Sequence, residues 1–245
     1  MSQSKHHNEI AIKLTGVSKK YEIHHEKPTL VEKFAKGRNE TFWALLDINL
    51  TIKKGERVGI IGPNGSGKTT LLKIIAGITI PTSGKLTTNG KIVSLIDLEA
   101  GFHMDLTGIQ NIYLNGMLLG MNKTEITKKL RSIINFADIQ QFIDVPLYTY
   151  SQGMKLKLGF SIAINADPDI LILDETIFFG DINFQKRLQK KLRSYFHSDV
   201  TVLIVSHWFP YIQKSCKKLL VMNRGKLVAN TTVTNLPSYK DIFIK

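Results

Sequence analysis

The chain is poor in the features that mark secreted or membrane-spanning proteins. It carries one cysteine in 245 residues, Cys216. A lone thiol closes no intramolecular disulfide, which fits a reducing compartment. Long apolar runs are missing: residues 170–173 and 200–205 stop far short of the ~18 residues that cross a bilayer. Residues 1–8 are polar and lack the apolar stretch of an export signal. Any membrane role is therefore expected to be peripheral. Proline is sparse at 7 residues and 43% of residues are hydrophobic, the composition of an ordinary globular protein, and 245 residues are enough to bury a sizeable core, so an ordered chain is expected. Acids are scarce relative to bases, 20 against 33, and the net charge of +13 favours an anionic neighbour such as nucleotide phosphate, nucleic acid or the inner membrane leaflet. Five of the 33 bases lie in residues 186–193, a run that also suits a solvated helix face. The pairs His6-His7 and His24-His25 have no cysteine or carboxylate companions and read as surface residues rather than a metal site.

What is present has the punctuation of an α/β protein. Residues 10–17 and 44–52 alternate imperfectly, as half-buried strands do, and Lys53-Lys54-Gly55-Glu56 reads as a turn. Residues 57–61 form a short buried strand. From Leu106 to about Ala166 the apolar spacing is helical. Strand-like runs return at 170–173 and 200–205, separated by a basic helix over 184–196. Strands alternating with helices predict a parallel sheet covered on both faces. Near the end, residues 218–222 and 226–230 flank Asn223-Arg224-Gly225 and predict a hairpin.

The strand at 57–61 runs into Gly62-Pro63-Asn64-Gly65-Ser66-Gly67-Lys68-Thr69-Thr70, followed by a helical pattern. This is the G-x-x-x-x-G-K-T phosphate loop, whose glycines let backbone N–H groups converge on phosphate oxygens at a helix N-terminus. Lys68 is expected to reach the β and γ phosphates, and the Thr69 hydroxyl to ligate Mg²⁺. Asp105-x-x-Gly108 and Asn122-Lys123-Thr124-Glu125 mimic guanine-nucleotide motifs, but only 17 residues separate Asp105 from Asn122, too few for a strand and a helix. Asn122 more simply begins a helix. The strand 170–173 ends in Asp174-Glu175. Neighbouring strand residues point to opposite sides, so the two acids are expected to differ in role: Asp174 holds Mg²⁺, and Glu175 polarises or deprotonates the attacking water.

Between these motifs stands Tyr150-Ser151-Gln152-Gly153-Met154, ahead of a helix expected over 155–166; taken alone it also reads as a helix cap with Ser151 at the N-cap. Here the chain resembles the ATP-binding-cassette family, whose signature is usually Leu-Ser-Gly-Gly-Gln. The resemblance implies an α/β, RecA-like P-loop NTPase core with an antiparallel β-subdomain and a helical insert. It implies one domain over 1–245, with core and antiparallel strands in 10–100 and 167–245, the helical subdomain in about 101–166, and a further insert at 22–42. Tyr21 matches the aromatic that stacks on adenine. Ser151, Gln152, Gly153 and Met154 match the segment that grips ATP held by a second subunit. Asp181 matches the loop that couples the two sites of the dimer, and His207 the residue that contacts the γ-phosphate.

The chain departs from that pattern in three places. The usual glutamine ending the strand after the phosphate-loop helix is missing, and Asp97 or Glu99 occupies its neighbourhood, which makes Asp97 a candidate metal contact. Gln152 stands where glycine or serine is usual, and bulky Ile177, Phe178 and Phe179 precede Asp181. Two stretches, residues 98–116 and 150–154, resemble the ATPases of teichoic-acid, O-antigen and capsular polysaccharide exporters. That resemblance implies a homodimer at the cytoplasmic face of the plasma membrane, energising a separate two-copy integral permease that handles a lipid-linked polysaccharide. No nucleic acid is then expected as a partner. Pro28-Thr29-Leu30-Val31-Glu32-Lys33-Phe34 reads as a short helix near the permease, and the 38 residues after His207 leave room for a helix and a hairpin but no glycan-binding domain. Two alternatives remain open at the level of sequence: a nucleic-acid-associated cassette ATPase, and an ATP-gated scaffold with very slow turnover.

Overall fold

A computed structural model describes residues 9–24, 39–175 and 180–243. The expected short helix at 28–34 and the bulky residues 177–179 lie outside that set. Among the described residues there are two sheets. Strands β1 (Ile10–His24), β2 (Asn39–Lys53) and β4 (Ser83–Thr88) form an antiparallel sheet in the order β2-β1-β4. The imperfect alternation of β1 and β2 has a structural cause: their register shifts between Leu14 and Val17 and again between Lys19 and Lys20, and each irregularity reassigns residues to faces. β4 carries no strand pattern of its own beyond Leu86, and pairs with β1 through Leu14 opposite Leu86.

The second sheet has the order β5-β6-β7-β3-β8-β9. Its strands are β3 (Arg57–Ile61), β5 (Ile92–Ser94), β6 (Ile170–Leu173), β7 (Thr201–Val205), β8 (Lys218–Asn223) and β9 (Lys226–Thr232). Neighbours from β5 to β8 are parallel, and β9 closes the edge as the antiparallel arm of the expected hairpin. The period of two along each strand divides the core. Ile170, Ile172, Leu203 and Val205 pack with Leu71, Leu72, Ile74 and Ile75 of helix α1 (Lys68–Ile75) and with the antiparallel sheet. The helical layer on the other side comprises α2 (Gly108–Leu118), α3 (Lys123–Ala137) and α4 (Gln152–Ile164), while α5 (Ile182–Phe196) and α6 (Phe209–Ser215) flank the parallel sheet. There Leu171, Leu173, Val202 and Ile204 pack with Leu158 and Phe160 of α4, Phe184, Leu188 and Leu192 of α5, and Ile212 of α6. Each such fully buried side chain stabilises the fold by about 1.5–3 kcal/mol. The parallel strands read as unbroken apolar runs because both faces are covered.

The segment that mimics a guanine-nucleotide motif is a helix cap: the Asn122 side chain accepts from Glu125 N–H, and the Glu125 carboxylate accepts from Asn122 N–H. Helix α4 starts three residues earlier than its apolar spacing predicts, because Ser151 caps it by accepting from Met154 N–H.

Candidate nucleotide-binding site

Strand β3 aims the phosphate loop at the N-terminus of α1, and the loop is fitted to its neighbours at atomic contact. Gly67 has φ 99°, and a Cβ there would lie 2.4 Å from the Ala44 carbonyl oxygen. Only glycine meets both demands. The turn of the β8–β9 hairpin buttresses the loop: Gly225 N–H donates to Ser66 O at 3.1 Å, and Gly225 O accepts from Leu46 N–H at 2.8 Å. Lys68 Nζ donates back to the carbonyls of Gly62 and Pro63 at 2.7 and 3.0 Å. Burial lowers the affinity of this lysine for its proton, while the carboxylates of Glu175 and Asp174 oppose that effect. A cation so placed is held by its own loop and partly desolvated.

The loop lines a cavity of about 320 Å³ together with Asp174, Glu175 and His207. Asn64, Gly65, Ser66, Gly67, Lys68, Thr69 and Thr70 all face it, whereas Gly62 and Pro63 contribute through their carbonyls behind it. Strand β6 ends at Leu173, so strict alternation does not reach Glu175, and both acids line the same cavity. Asp174 Oδ1 accepts from Glu175 N–H at 2.8 Å, and Glu175 Oε1 lies 3.0 Å from His207 Nε2. Ser66 Oγ is buried without a hydrogen-bond partner among the described residues, an open polar valence in the wall of the loop.

That donor set suits Mg²⁺ held jointly with a nucleotide. Among the described residues no three His, Cys, Asp or Glu side chains cluster as a self-sufficient metal cage. Magnesium characteristically takes one or two carboxylates plus substrate phosphates. Thr69 and Asp174, both on the cavity wall, match that habit.

Other expected site residues lie elsewhere. Tyr21 is on β1, its ring 5.0 Å from Lys19 Nζ, and is not part of the cavity wall. Its register partner Phe42 is. Residues directly opposite in an antiparallel pair share a face, so the two aromatics flank one approach to the phosphate loop. Phe42 and Ala44 escaped sequence reasoning, and only the pairing of Tyr21 with Phe42 reveals the former. Asp97 is also off the cavity, its carboxylate 2.8 Å from Lys73 Nζ on α1. Ser151, Gln152, Gly153 and Met154 begin α4 away from this chain's own phosphate loop. Asp181 caps α5 by accepting from Phe184 N–H and pairs with Lys157 of α4, a contact that holds its carboxyl down at about 2.

The two stretches singled out by their resemblance to polysaccharide exporters meet in space. Buried Asn111 accepts from His103 N–H and donates to the carbonyls of His103, Leu106 and Thr107, knitting the loop before α2. A Cβ on Gly108 would lie 2.4 Å from the Tyr150 hydroxyl, which itself donates to Phe142 O at 2.5 Å. Burial pushes the Tyr150 phenol up to about 12, so it stays a donor.

The profile of the ABC transporter family matches residues 45–177, from β2 through Glu175. The O-antigen export system ATP-binding protein RfbB of Klebsiella pneumoniae is 39% identical over 229 residues, covering 89% of this chain and 92% of that protein. The teichoic acids export ATP-binding protein TagH of Bacillus cereus is 37% identical over 237 residues, covering 96% of this chain and 43% of that protein. A solved dimer of the ATP-binding cassette MJ0796, in a post-hydrolysis state bound to ADP and Pi, matches with a TM-score of 0.71 at 22% identity, over 91% of this chain and 98% of that one. At that identity the likeness speaks for the fold. With the phosphate loop, the Asp174-Glu175 edge and His207 converging on one cavity, and with these relatives, the chain belongs to the ABC transporter family and is an ATPase.

Proposed function

We propose that this chain is the ATP-binding and ATP-hydrolysing subunit that energises a separate membrane permease exporting a lipid-linked cell-surface polysaccharide of O-antigen or teichoic-acid type. The observation that carries the hydrolytic part is the convergence of Lys68, Glu175 and His207 on one cavity, with Glu175 Oε1 3.0 Å from His207 Nε2. Lys68 neutralises phosphate charge, as fixed cations do best in a partly desolvated site. Glu175 orients the attacking water and accepts its proton; His207 steadies Glu175 and, when turned to the nucleotide, the γ-phosphate. Thr69 and Asp174 would hold Mg²⁺, which when bound offsets charge on the β and γ oxygens.

Ser151, Gln152 and Gly153 act on the nucleotide of a second copy. They sit at a helix N-terminus, where backbone N–H groups and the helix dipole favour an anion, yet they do not line this chain's own cavity. Asp181, joined to the same helix through Lys157, relays between the two sites. The glycan class rests on the named relatives and on the meeting of residues 98–116 with Tyr150. Among the described residues no helix is long and apolar enough to cross a membrane, which suits a subunit that works beside a permease. The test is co-purification with its membrane partner in vesicles loaded with candidate lipid-linked glycans. One of them is expected to stimulate ATP hydrolysis and to appear on the far side. Stimulation by DNA or RNA instead would overturn the assignment.

A further inference from the structure

Two of the chain's departures from the usual cassette pattern touch each other. Glu99 follows β5, in the neighbourhood where the family carries a glutamine, and Gln152 is the unusual second residue of the signature. Glu99 Oε1 accepts a hydrogen bond from Gln152 Nε2 at 2.6 Å across a sequence separation of 53 residues. The contact is one of two at the same face of α4. A Cβ on Gly159 would lie 3.0 Å from Leu98 Cβ and 3.2 Å from Leu98 O, so the loop's backbone rests against α4 at that point. Gln152 and Gly159 are seven residues apart, two helical turns, and therefore share a face. The loop is anchored at its other end as well: Asp97, at φ 53°, pairs with Lys73 on the phosphate-loop helix α1. Ala100 N–H donates to Asp97 O and Phe102 N–H to Glu99 O, which makes residues 97–102 two consecutive tight turns.

We propose that Glu99 and Gln152 are a positioning pair: through them the loop that follows β5, tied to α1 by the Lys73–Asp97 ion pair, fixes the direction in which the N-terminus of α4 presents the signature to the ATP of a second subunit. The pair rests on the reading of α4 as the element that contacts ATP across a dimer. Gln152 is the first residue of α4, so tilting its side chain toward Glu99 orients the turn that carries the phosphate-facing N–H groups. A carboxylate acceptor makes the hydrogen bond charge-assisted and short. A glycine or serine at position 152 has no side chain long enough to make it. The two departures thus compensate each other. Glu99 is not among the residues that line the nucleotide cavity, and in this proposal it acts only through Gln152.

The experiment follows ATP-driven dimerisation of the full chain by analytical ultracentrifugation, in a Glu175→Gln background that retains ATP, with monomer affinity for a fluorescent ATP analogue measured alongside. Glu99→Ala is expected to raise the ATP concentration for half-maximal dimerisation about fivefold, the equivalent of one net hydrogen bond, and to leave monomer affinity unchanged. Glu99→Gln, whose amide oxygen still accepts from Gln152, is expected to stay close to the parent. In a Gln152→Ala background, Glu99→Ala is expected to have no further effect. The proposal is overturned if Glu99→Ala is silent, if its effect persists without Gln152, or if it promotes dimerisation, which would make Glu99 a repulsive charge at the signature. If the Glu175→Gln parent itself forms no dimer with ATP, the two-subunit reading fails first and the pair falls with it.

Discussion

The phosphate-loop end of the molecule and the signature end are built on opposite plans. The first is a closed construction: the phosphate loop, the start of α1, Phe42 and Ala44 of β2 and the ends of β6 and β7 line one cavity, the β8–β9 turn buttresses the loop, and Lys68 is already satisfied by carbonyls of its own loop. The second is an exposed helix start whose cap, Ser151, serves α4 and whose other first-turn residues do not line that cavity. One end gathers its groups within the chain, and the other contributes none of the residues that line that cavity. A capped helix start in hydrogen-bond contact with Glu99 is what the proposed two-subunit site calls for.

The contrast meets its severest trial when the ends are inactivated separately and the variants mixed. Lys68→Ala is expected to lower ATPase activity by about 100-fold or more, as loss of a preorganised charge-stabilising donor does. Gly153→Asp has room for its side chain, since a Cβ there meets only Ser151 Oγ at 3.9 Å, but it sets a negative charge where phosphate should dock. Each variant alone is expected to be inactive. Mixed, they form dimers holding one intact composite site, and activity returns. No recovery in the mixture would mean that each chain works alone. Next in size, Glu175→Gln is expected to reduce turnover by roughly 10²–10⁴ while ATP binding survives, the usual contribution of a positioned base; an unchanged rate would remove Glu175 from that role.

A smaller effect belongs to the nucleotide end. Phe42 lines the cavity and Tyr21 stands opposite it, so Phe42→Ala is expected to weaken ATP binding about tenfold, within the ~1–3 kcal/mol that stacking contributes. Isothermal titration of Phe42→Ala and Tyr21→Ala decides which ring carries the base. The smallest effect concerns the joint between the ends. The Asp181 carboxyl is held at about 2 against an ordinary 3.8 by Lys157, so its stabilising contribution is present above pH 3.8 and lost as pH falls toward 2. Asp181→Asn is expected to flatten that part of the acid unfolding curve, slightly, because the pair is exposed to solvent.

Much of the architecture was legible because its signals are local. The phosphate loop, the buried runs of β6 and β7, the helical spacing of α2, α3 and α5, and the Asn-Arg-Gly turn each state their structure within a few residues. β4 was not legible, since Ser83–Thr88 has a single large apolar side chain and becomes a strand only through its pairing with β1. The start of α4 was legible only in part: apolar periodicity reports the residues that pack from 155 onward, while the N-cap reading of Ser151, open in the sequence, is the one the structure realises. Phe42 was invisible because its place at the cavity depends on the register of β1 against β2, which shifts several times along the pair.

The order of residues along the chain was enough to dictate the chemistry: a lysine, a threonine and two carboxylates whose spacing along strand, loop and helix leaves little freedom in what they hold. Which groups share a site was settled by folding. It brought Phe42 and His207 to the phosphate loop, turned Asp97 away to Lys73, set Glu99 against Gln152, and left the signature facing outward. The division is one of range. Backbone geometry and caps act over a few residues and are written in order along the chain, whereas strand register and helix packing join residues dozens apart and exist only once the core has closed.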